Sequence, residues 1–244
     1  MKKFIHYCWF GGKPLPKLAK KCIKSWKKFL PDYEIIRWDE TNCDIDECAF
    51  VKGAYENKMW AFVADYFRAK VLNEYGGIYF DTDMKVIKDL SSLLNDHTFL
   101  GVEYGNMVAV GVWYEKRNDS YLTKALLKKY RSYKKFDVSK IRDYAIPILI
   151  TDILTPLGYQ DNCEHIQLLK HKISIYPRDY FYPLSDDHQK NEFTDNTCMI
   201  HYYDASWIPR SEYIRLKTER LLGKKLGGVI LDFLVKIKHM IKRG

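Results

Sequence analysis

Gly76-Gly77-Ile78-Tyr79-Phe80-Asp81-Thr82-Asp83 reads as a tight glycine turn, a short apolar strand and two carboxylates one residue apart. Side chains alternate along a strand, so Asp81 and Asp83 are expected on one side. They can then face one ion, or one can face the ion and the other a ribose. An apolar strand that ends in acid points to a divalent cation, and a cation there most often serves a phosphate-bearing substrate. Upstream, Met59, Phe62, Val63, Tyr66, Phe67, Val71 and Tyr75 form a broad apolar stripe that predicts a helix over 58–75, closed by the glycine pair. Further upstream, Phe4–Trp9 reads as a strand ended by Gly11-Gly12, a helix opened by Pro14 and Pro16 runs to about Phe29, and Glu34–Trp38 is a second strand. This β-α-β order predicts parallel strands and a nucleotide-binding type of α/β fold. Downstream, strands are expected at 99–102, 107–113, 173–176 and 197–201, helices at 119–133 and 144–155, and one or two terminal helices at 210–243. No repeat or low-complexity linker is visible, so one domain is preferred.

At 244 residues, 47% of them hydrophobic and 15% aromatic, the chain can bury a sizeable core and is not disordered in composition. No run reaches the roughly 20 apolar residues needed to span a bilayer. The apolar stretch after Met1-Lys2-Lys3-Phe4 is too short for a signal peptide, so a cytosolic location is expected. The six cysteines have no C-x-x-C spacing, which disfavours zinc and makes free thiols the plain reading. The net charge of +9 is uneven: residues 1–30 hold nine lysines and no acid, and 212–244 hold nine cations against three acids, leaving −6 between them. Basic ends suit an anionic surface, although a solvated lysine-rich face is equally ordinary.

The acid pair alone leaves alternatives open. An EF-hand loop from Asp81 needs Gly sixth and Glu twelfth, where this chain has Val86 and Ser92. No P-loop is present. A haloacid-dehalogenase-type phosphatase also begins with D-x-D after an apolar strand, with Asp81 as nucleophile. It usually carries Thr or Val where this chain has Lys85. A basic nucleic-acid-binding module is the non-enzymatic alternative, but no helix-turn-helix or aromatic RNA motif supports it. Asp65 and Arg68 lie three apart on the 58–75 helix among apolar neighbours, so they share a face and need partners. They form either an intrahelical ion pair or a clamp on sugar hydroxyls and phosphate oxygens. His201, Ser206 and Trp207 fall within seven residues and can cradle a diphosphate and complete a metal shell. Trp9 reads as core, or as a stacking plate for a base.

Together these clusters resemble the DXD-containing glycosyltransferases of the sugar-binding region family. That family includes bacterial capsular-polysaccharide and lipopolysaccharide sugar transferases and fungal initiating α-mannosyltransferases. The glucosyltransferase domains of large clostridial toxins are more distant. The resemblance rests on I-H-Y-C-W-F-G-G (Ile5–Gly12), R-W-D-E (Arg37–Glu40), A-D-x-x-R (Ala64–Arg68), L-x-E-Y-G-G-I-Y-F-D-T-D (Leu72–Asp83) and H-x-x-x-x-S-W (His201–Trp207), in the family's order. Little in 119–196 matches and nothing in 210–244 does. Lys2-Lys3 stands where many members begin Ile-Pro-Lys.

The resemblance implies a GT-A-type α/β domain over 1–209, with a Rossmann-like mixed sheet flanked by helices; residues 210–244, which the resemblance does not reach, read by their own pattern as a basic amphipathic helical extension. It implies Mn²⁺ or Mg²⁺, a nucleotide-sugar donor (a UDP-sugar first, GDP-mannose second), and retention of anomeric configuration. By position, Trp9 stacks on the base, Asp65 and Arg68 hold the donor sugar, and Tyr79 lies near the sugar phosphate. Asp81 faces ribose and metal, Asp83 and His201 ligate the metal, and Ser206 and Trp207 close over the diphosphate. Asn106 falls where related enzymes place a polar residue beneath the sugar. The implied acceptor is a saccharide or lipid-linked saccharide of surface polysaccharide synthesis. The apolar-then-basic stretch Gly227–Lys238 reads either as a helix on the inner membrane face or as one packed on the domain.

Overall fold

The computed structural model describes residues 2–94, 97–103, 107–161, 163–184 and 191–204. The N-terminal β-α-β unit forms as expected: β1 (Phe4–Cys8), α1 (Lys17–Phe29) and β2 (Glu34–Trp38), with the strands parallel. An eight-residue helix absent from the sequence reading, α2 (Ala49–Glu56), precedes α3 (Trp60–Tyr75). Next come β3 (Gly77–Phe80), β4 (Met84–Val86), β5 (Thr98–Val102) and β6 (Val108–Glu115). Then follow α4 (Tyr121–Ser132), a 3-10 stretch (Val138–Tyr144), α5 (Ile146–Leu154), β7 (Gln167–Leu169), β8 (Ile173–Tyr176), α6 (Arg178–Phe181) and β9 (Met199–His201). Three-residue β4 and β7 and four-residue α6 were not expected, since elements this short carry no measurable period. The boundary drawn at residue 209 and the extension beyond it lie outside the described residues.

Seven strands form one mixed sheet in the order β2-β1-β3-β6-β5-β8-β7, and β4 pairs with β9 in a separate antiparallel ribbon. Strands β1 and β3 run parallel, so chain order turns back beside β1: β2 lies on one side of it and β3 on the other. In open α/β sheets such a switch point opens a crevice at the carboxyl ends of the strands. Here those ends are Cys8, which leads into Trp9–Gly12, and Phe80, which leads into the acid pair.

Alternation along β3 divides the core. Tyr79 joins the cluster beneath α2–α5, while Ile78 and Phe80 join the one shared with α1 and β4. Gly77 has φ +92°, and a Cβ there would lie 2.6 Å from the Phe4 carbonyl oxygen, so the parallel β1–β3 approach requires glycine. Helix α3 is buried around much of its girth rather than along one stripe: Asp65 and Arg68 are only 7% and 5% exposed. Tyr75, expected in the stripe, is exposed and covers Phe4, His6 and Trp38 instead. On the other face Trp26 Nε1 of α1 donates to the Met84 carbonyl at 2.7 Å, and the Val86 N–H donates to Ser25 Oγ at 3.0 Å. These bonds fix the short ribbon that follows the acid pair. Among the described residues no helix is long and apolar enough to cross a membrane.

Candidate metal centre

Asp81 and Asp83 do not continue β3. The Met84 N–H donates to the Asp81 carbonyl at 2.9 Å, closing a β-turn over 81–84. The two carboxylates therefore converge through a turn, which corrects the expectation of alternating strand positions. The chain then enters β4, where Met84 pairs with His201 across the ribbon. One ligand atom each from Asp81, Asp83 and His201 lies within 4.8 Å of the others. His201 Nε2 is 3.2 Å from Asp83 Oδ1, and the Asp204 N–H donates to Asp83 Oδ2 at 2.9 Å.

Asp81 also faces α3. Arg68 Nη2 bridges Asp65 Oδ1 and Asp81 Oδ1, each at 3.1 Å, and Nη1 donates to the Val110 carbonyl at 2.7 Å. Asp65 and Arg68 do form the intrahelical pair, but the guanidinium is shared with the acid turn. Its carbon lies 4.6 Å from the Tyr79 ring centroid, and Tyr79 is 1% exposed. Tyr79, expected near the sugar phosphate, thus stands under the arginine, where it receives the cation on its ring face. Gly111 of β6 passes close by: a Cβ there would come 3.3 Å from Asp81 Oδ2 and 3.2 Å from the Tyr182 hydroxyl. A lone glycine inside a strand is the sequence signal for such an approach. Tyr182, whose hydroxyl accepts from the Val112 N–H and whose ring meets His201 edge-on, had no such signal.

Burial dominates the titration of Asp65, raising it to about 7 despite the opposing charge of Arg68. Arg68 loses solvation as well, but Asp81, Tyr79 and Asp65 outweigh that and keep it charged. Burial alone would raise Asp83 and lower His201; their mutual attraction reverses both, holding Asp83 below the usual carboxylate range and His201 at about 9. Two carboxylates and an imidazole in mutual reach form a mixed oxygen and nitrogen set, which suits Mn²⁺ better than Mg²⁺. The proton that joins Asp83 to His201 marks a place where a cation can substitute for it. His201 Nε2 is the ring nitrogen that meets Asp83, so on losing its proton it is the atom that would hold an ion shared with the acid pair. The residues fit a divalent ion.

The loop after β1 borders this site. Trp9 is half-buried and its Nε1 donates to the Lys13 carbonyl at 2.6 Å. The Gly11 N–H donates to Glu40 Oε1 at 2.6 Å, which gives the acid of R-W-D-E a role that sequence reasoning missed: it holds the glycine turn. Gly11 has φ +88°, and a Cβ there would come 2.8 Å from the Trp60 ring at the start of α3. Asn106, Ser206 and Trp207 lie outside the described residues.

Residues 16–100 match the sequence model of the family described as glycosyltransferase sugar-binding region containing DXD motif. That span contains Asp65, Arg68 and the acid pair. The match falls on the stretch whose motifs led one to expect it. No curated protein matches the chain. Among solved structures it is similar to the PaToxG glycosyltransferase (TM-score 0.50, 17% identity, covering 64% of this chain and 69% of that one). It is also similar to a glycosyltransferase involved in glycosylation of the major capsid of PBCV-1 (TM-score 0.49, 10% identity, 88% of this chain and 99% of that one). A third is the glycosyltransferase GlyE of Streptococcus pneumoniae TIGR4 (TM-score 0.46, 14% identity, 97% and 64%). The first of these likenesses shows the fold, an α/β glycosyltransferase fold of GT-A type.

Proposed function

We propose that this chain, which carries the DXD sugar-binding region, is a metal-dependent hexosyltransferase that moves a sugar from a nucleotide-sugar donor to a saccharide or lipid-linked saccharide acceptor. The observation that carries this reading is the convergence of Asp81, Asp83 and His201 at the crevice where β1 and β3 end, with Arg68 beside them. A divalent ion at this cluster supplies Lewis-acid stabilisation of the charge that grows on the departing diphosphate. Asp83 and His201 are its holders. Asp81 divides its carboxylate between that cluster and Arg68, so the guanidinium fixes where Asp81 points. Asp65 completes the clamp, with Trp9 for the base and Asn106, Ser206 and Trp207 for sugar and diphosphate. A UDP-sugar is favoured over GDP-mannose, with retention of configuration and a place in surface polysaccharide synthesis in the cytosol. The domain proper is taken as 1–209, with 210–244 as a basic extension available to an anionic membrane face.

The test is Asp83→Ala, assayed for sugar transfer and donor hydrolysis with Mn²⁺. Both are expected to fall by about a thousandfold or more, since metal stabilisation of transition-state charge is worth several kcal/mol. Circular dichroism should be unchanged. Near-normal turnover would sink the metal assignment. The phosphatase reading predicts a different outcome, hydrolysis of simple phosphoesters with Asp81 as nucleophile, but both Asp81 oxygens lie within 3.4 Å of Arg68.

A further inference from the structure

The middle of the chain is acidic on average, yet residues 128–142 hold seven cations and a single acid. The structure turns the end of this stretch into a closed loop. The Tyr133 hydroxyl donates to the Asp143 carbonyl at 3.3 Å, joining the loop's ends. Phe136 and Tyr144 are its buried anchors, both packed against Phe50 of α2. What the anchors leave outside is cationic and aliphatic. Lys134, Lys135, Lys140 and Arg142 are all exposed, and the charges of Lys135, whose Nζ is 3.7 Å from Asp137, and of Lys140 both act on that one carboxylate. Val138, Ile141 and Ile148, at the loop's crown and the start of α5, are 47%, 36% and 41% exposed. Aliphatic side chains set among lysines on a rigid, anchored loop are not a solvated charged face.

The loop's position gives it a direction. Glu115, at the end of β6, pairs with Gly77 at the start of β3, so α4 begins at the end of the sheet remote from Asp81 and runs back toward it. Phe62 of α3 packs on Phe136 at 5.4 Å, one turn before Asp65. The loop therefore stands on the same rim as the metal cluster.

We propose that this rim loop is a membrane-docking face that seats the chain on an anionic bilayer, its cations on the headgroups and its three aliphatic side chains in the interface. Charge complementarity selects an anionic lipid surface, and the aliphatic tips select a bilayer over a soluble polyanion. The consequence is that the metal cluster opens toward the membrane plane, where a lipid-linked acceptor would lie. The docking itself does not depend on the sugar-transfer reading.

The test is sedimentation of the 244-residue chain with vesicles of phosphatidylcholine alone or of phosphatidylcholine mixed with the anionic lipid phosphatidylglycerol. Binding is expected only to the anionic vesicles. Replacing Lys134, Lys135, Lys140 and Arg142 together by Gln should weaken it by roughly six-hundredfold, at about fivefold per cation. Val138, Ile141 and Ile148 replaced together by Ser should weaken it at constant charge, while binding of Mn²⁺ stays unchanged. A parallel variant carries Gln at Lys224, Lys225, Lys236 and Lys238. Loss of binding in that variant alone, with the loop variants binding normally, overturns the proposal and assigns docking to the C-terminal stretch. Binding to heparin but not to vesicles, or no binding to vesicles by the unaltered chain, overturns it as well.

Discussion

Arg68 holds two carboxylates, from Asp65 one turn away on its own helix and from Asp81 across the sheet, while being 5% exposed. A buried cation shared in this way is not interchangeable with an apolar side chain, because removing it leaves two carboxylates without a counter-charge. Arg68→Leu is expected to destabilise the fold by about 3–5 kcal/mol. Arg68→Lys should recover part of this, since an ammonium supplies the charge but not the fork that reaches Asp65, Asp81 and Val110 together. Urea unfolding of both variants checks it: a loss below about 1 kcal/mol in Arg68→Leu would mean the carboxylates find other partners. The pair was legible in the sequence, because two charges three apart among Ala61, Ala64 and Leu72 had to be matched. Its third member was not, because Asp81 comes within reach only when α3 is laid along β3.

At the scale of elements, Glu115 shows how one buried acid joins three of them. It ends β6, is 1% exposed, and accepts from Thr98 Oγ1 of β5 at 2.5 Å, from Trp113 Nε1 at 2.8 Å and from Ser120 Oγ, the N-cap of α4, at 2.9 Å. Burial pushes its carboxyl up to about 7, although the three donors oppose this. The native state therefore holds a proton that the unfolded chain releases near pH 4.5. Stability from this group is full below about pH 4.5 and declines as pH rises to about 7, the native state binding more protons than the unfolded one across that window. The expected decline is on the order of 2–3 kcal/mol, at about 1.4 kcal/mol per unit. Glu115→Gln keeps the shape and should flatten that part of the stability–pH curve. A variant with the same slope as the parent between pH 5 and 7 would rule this group out as the source. Long periodic elements such as α1, α3 and β6 were visible in the sequence; α2, β4 and β7 were not, because two turns of helix or three residues of strand are too short to show a period.

At the scale of the whole molecule, the metal cluster joins residues on either side of much of the chain, and the β4–β9 ribbon is what brings them together. An ion bound there should tie the ribbon to the sheet. At Mn²⁺ about a hundred times above its Kd the native state gains about 2.7 kcal/mol. For a chain of this size that is a rise in Tm of about 5–10 °C. His201→Ala is expected to weaken the ion by tenfold or more and so cut the rise by at least half, at about 1.4 kcal/mol per factor of ten. Differential scanning calorimetry with and without Mn²⁺ measures both, and an equal rise in the variant would remove His201 from the site.

The sequence by itself determined the chemistry on offer and the elements that carry it: the acid pair after an apolar strand, the charged pair on the helix before it, the glycine turn between them, and the β-α-β start. These are local properties, set by side-chain period, by glycine's access to positive φ and by the chemistry of adjacent residues. Only the tertiary structure decided that a turn rather than strand alternation aims Asp81 and Asp83, that Tyr79 supports Arg68 from below, and that His201 completes the cluster. Those outcomes depend on strands pairing across the chain and on burial that forces charges to share partners, and neither is written in the spacing of neighbouring residues.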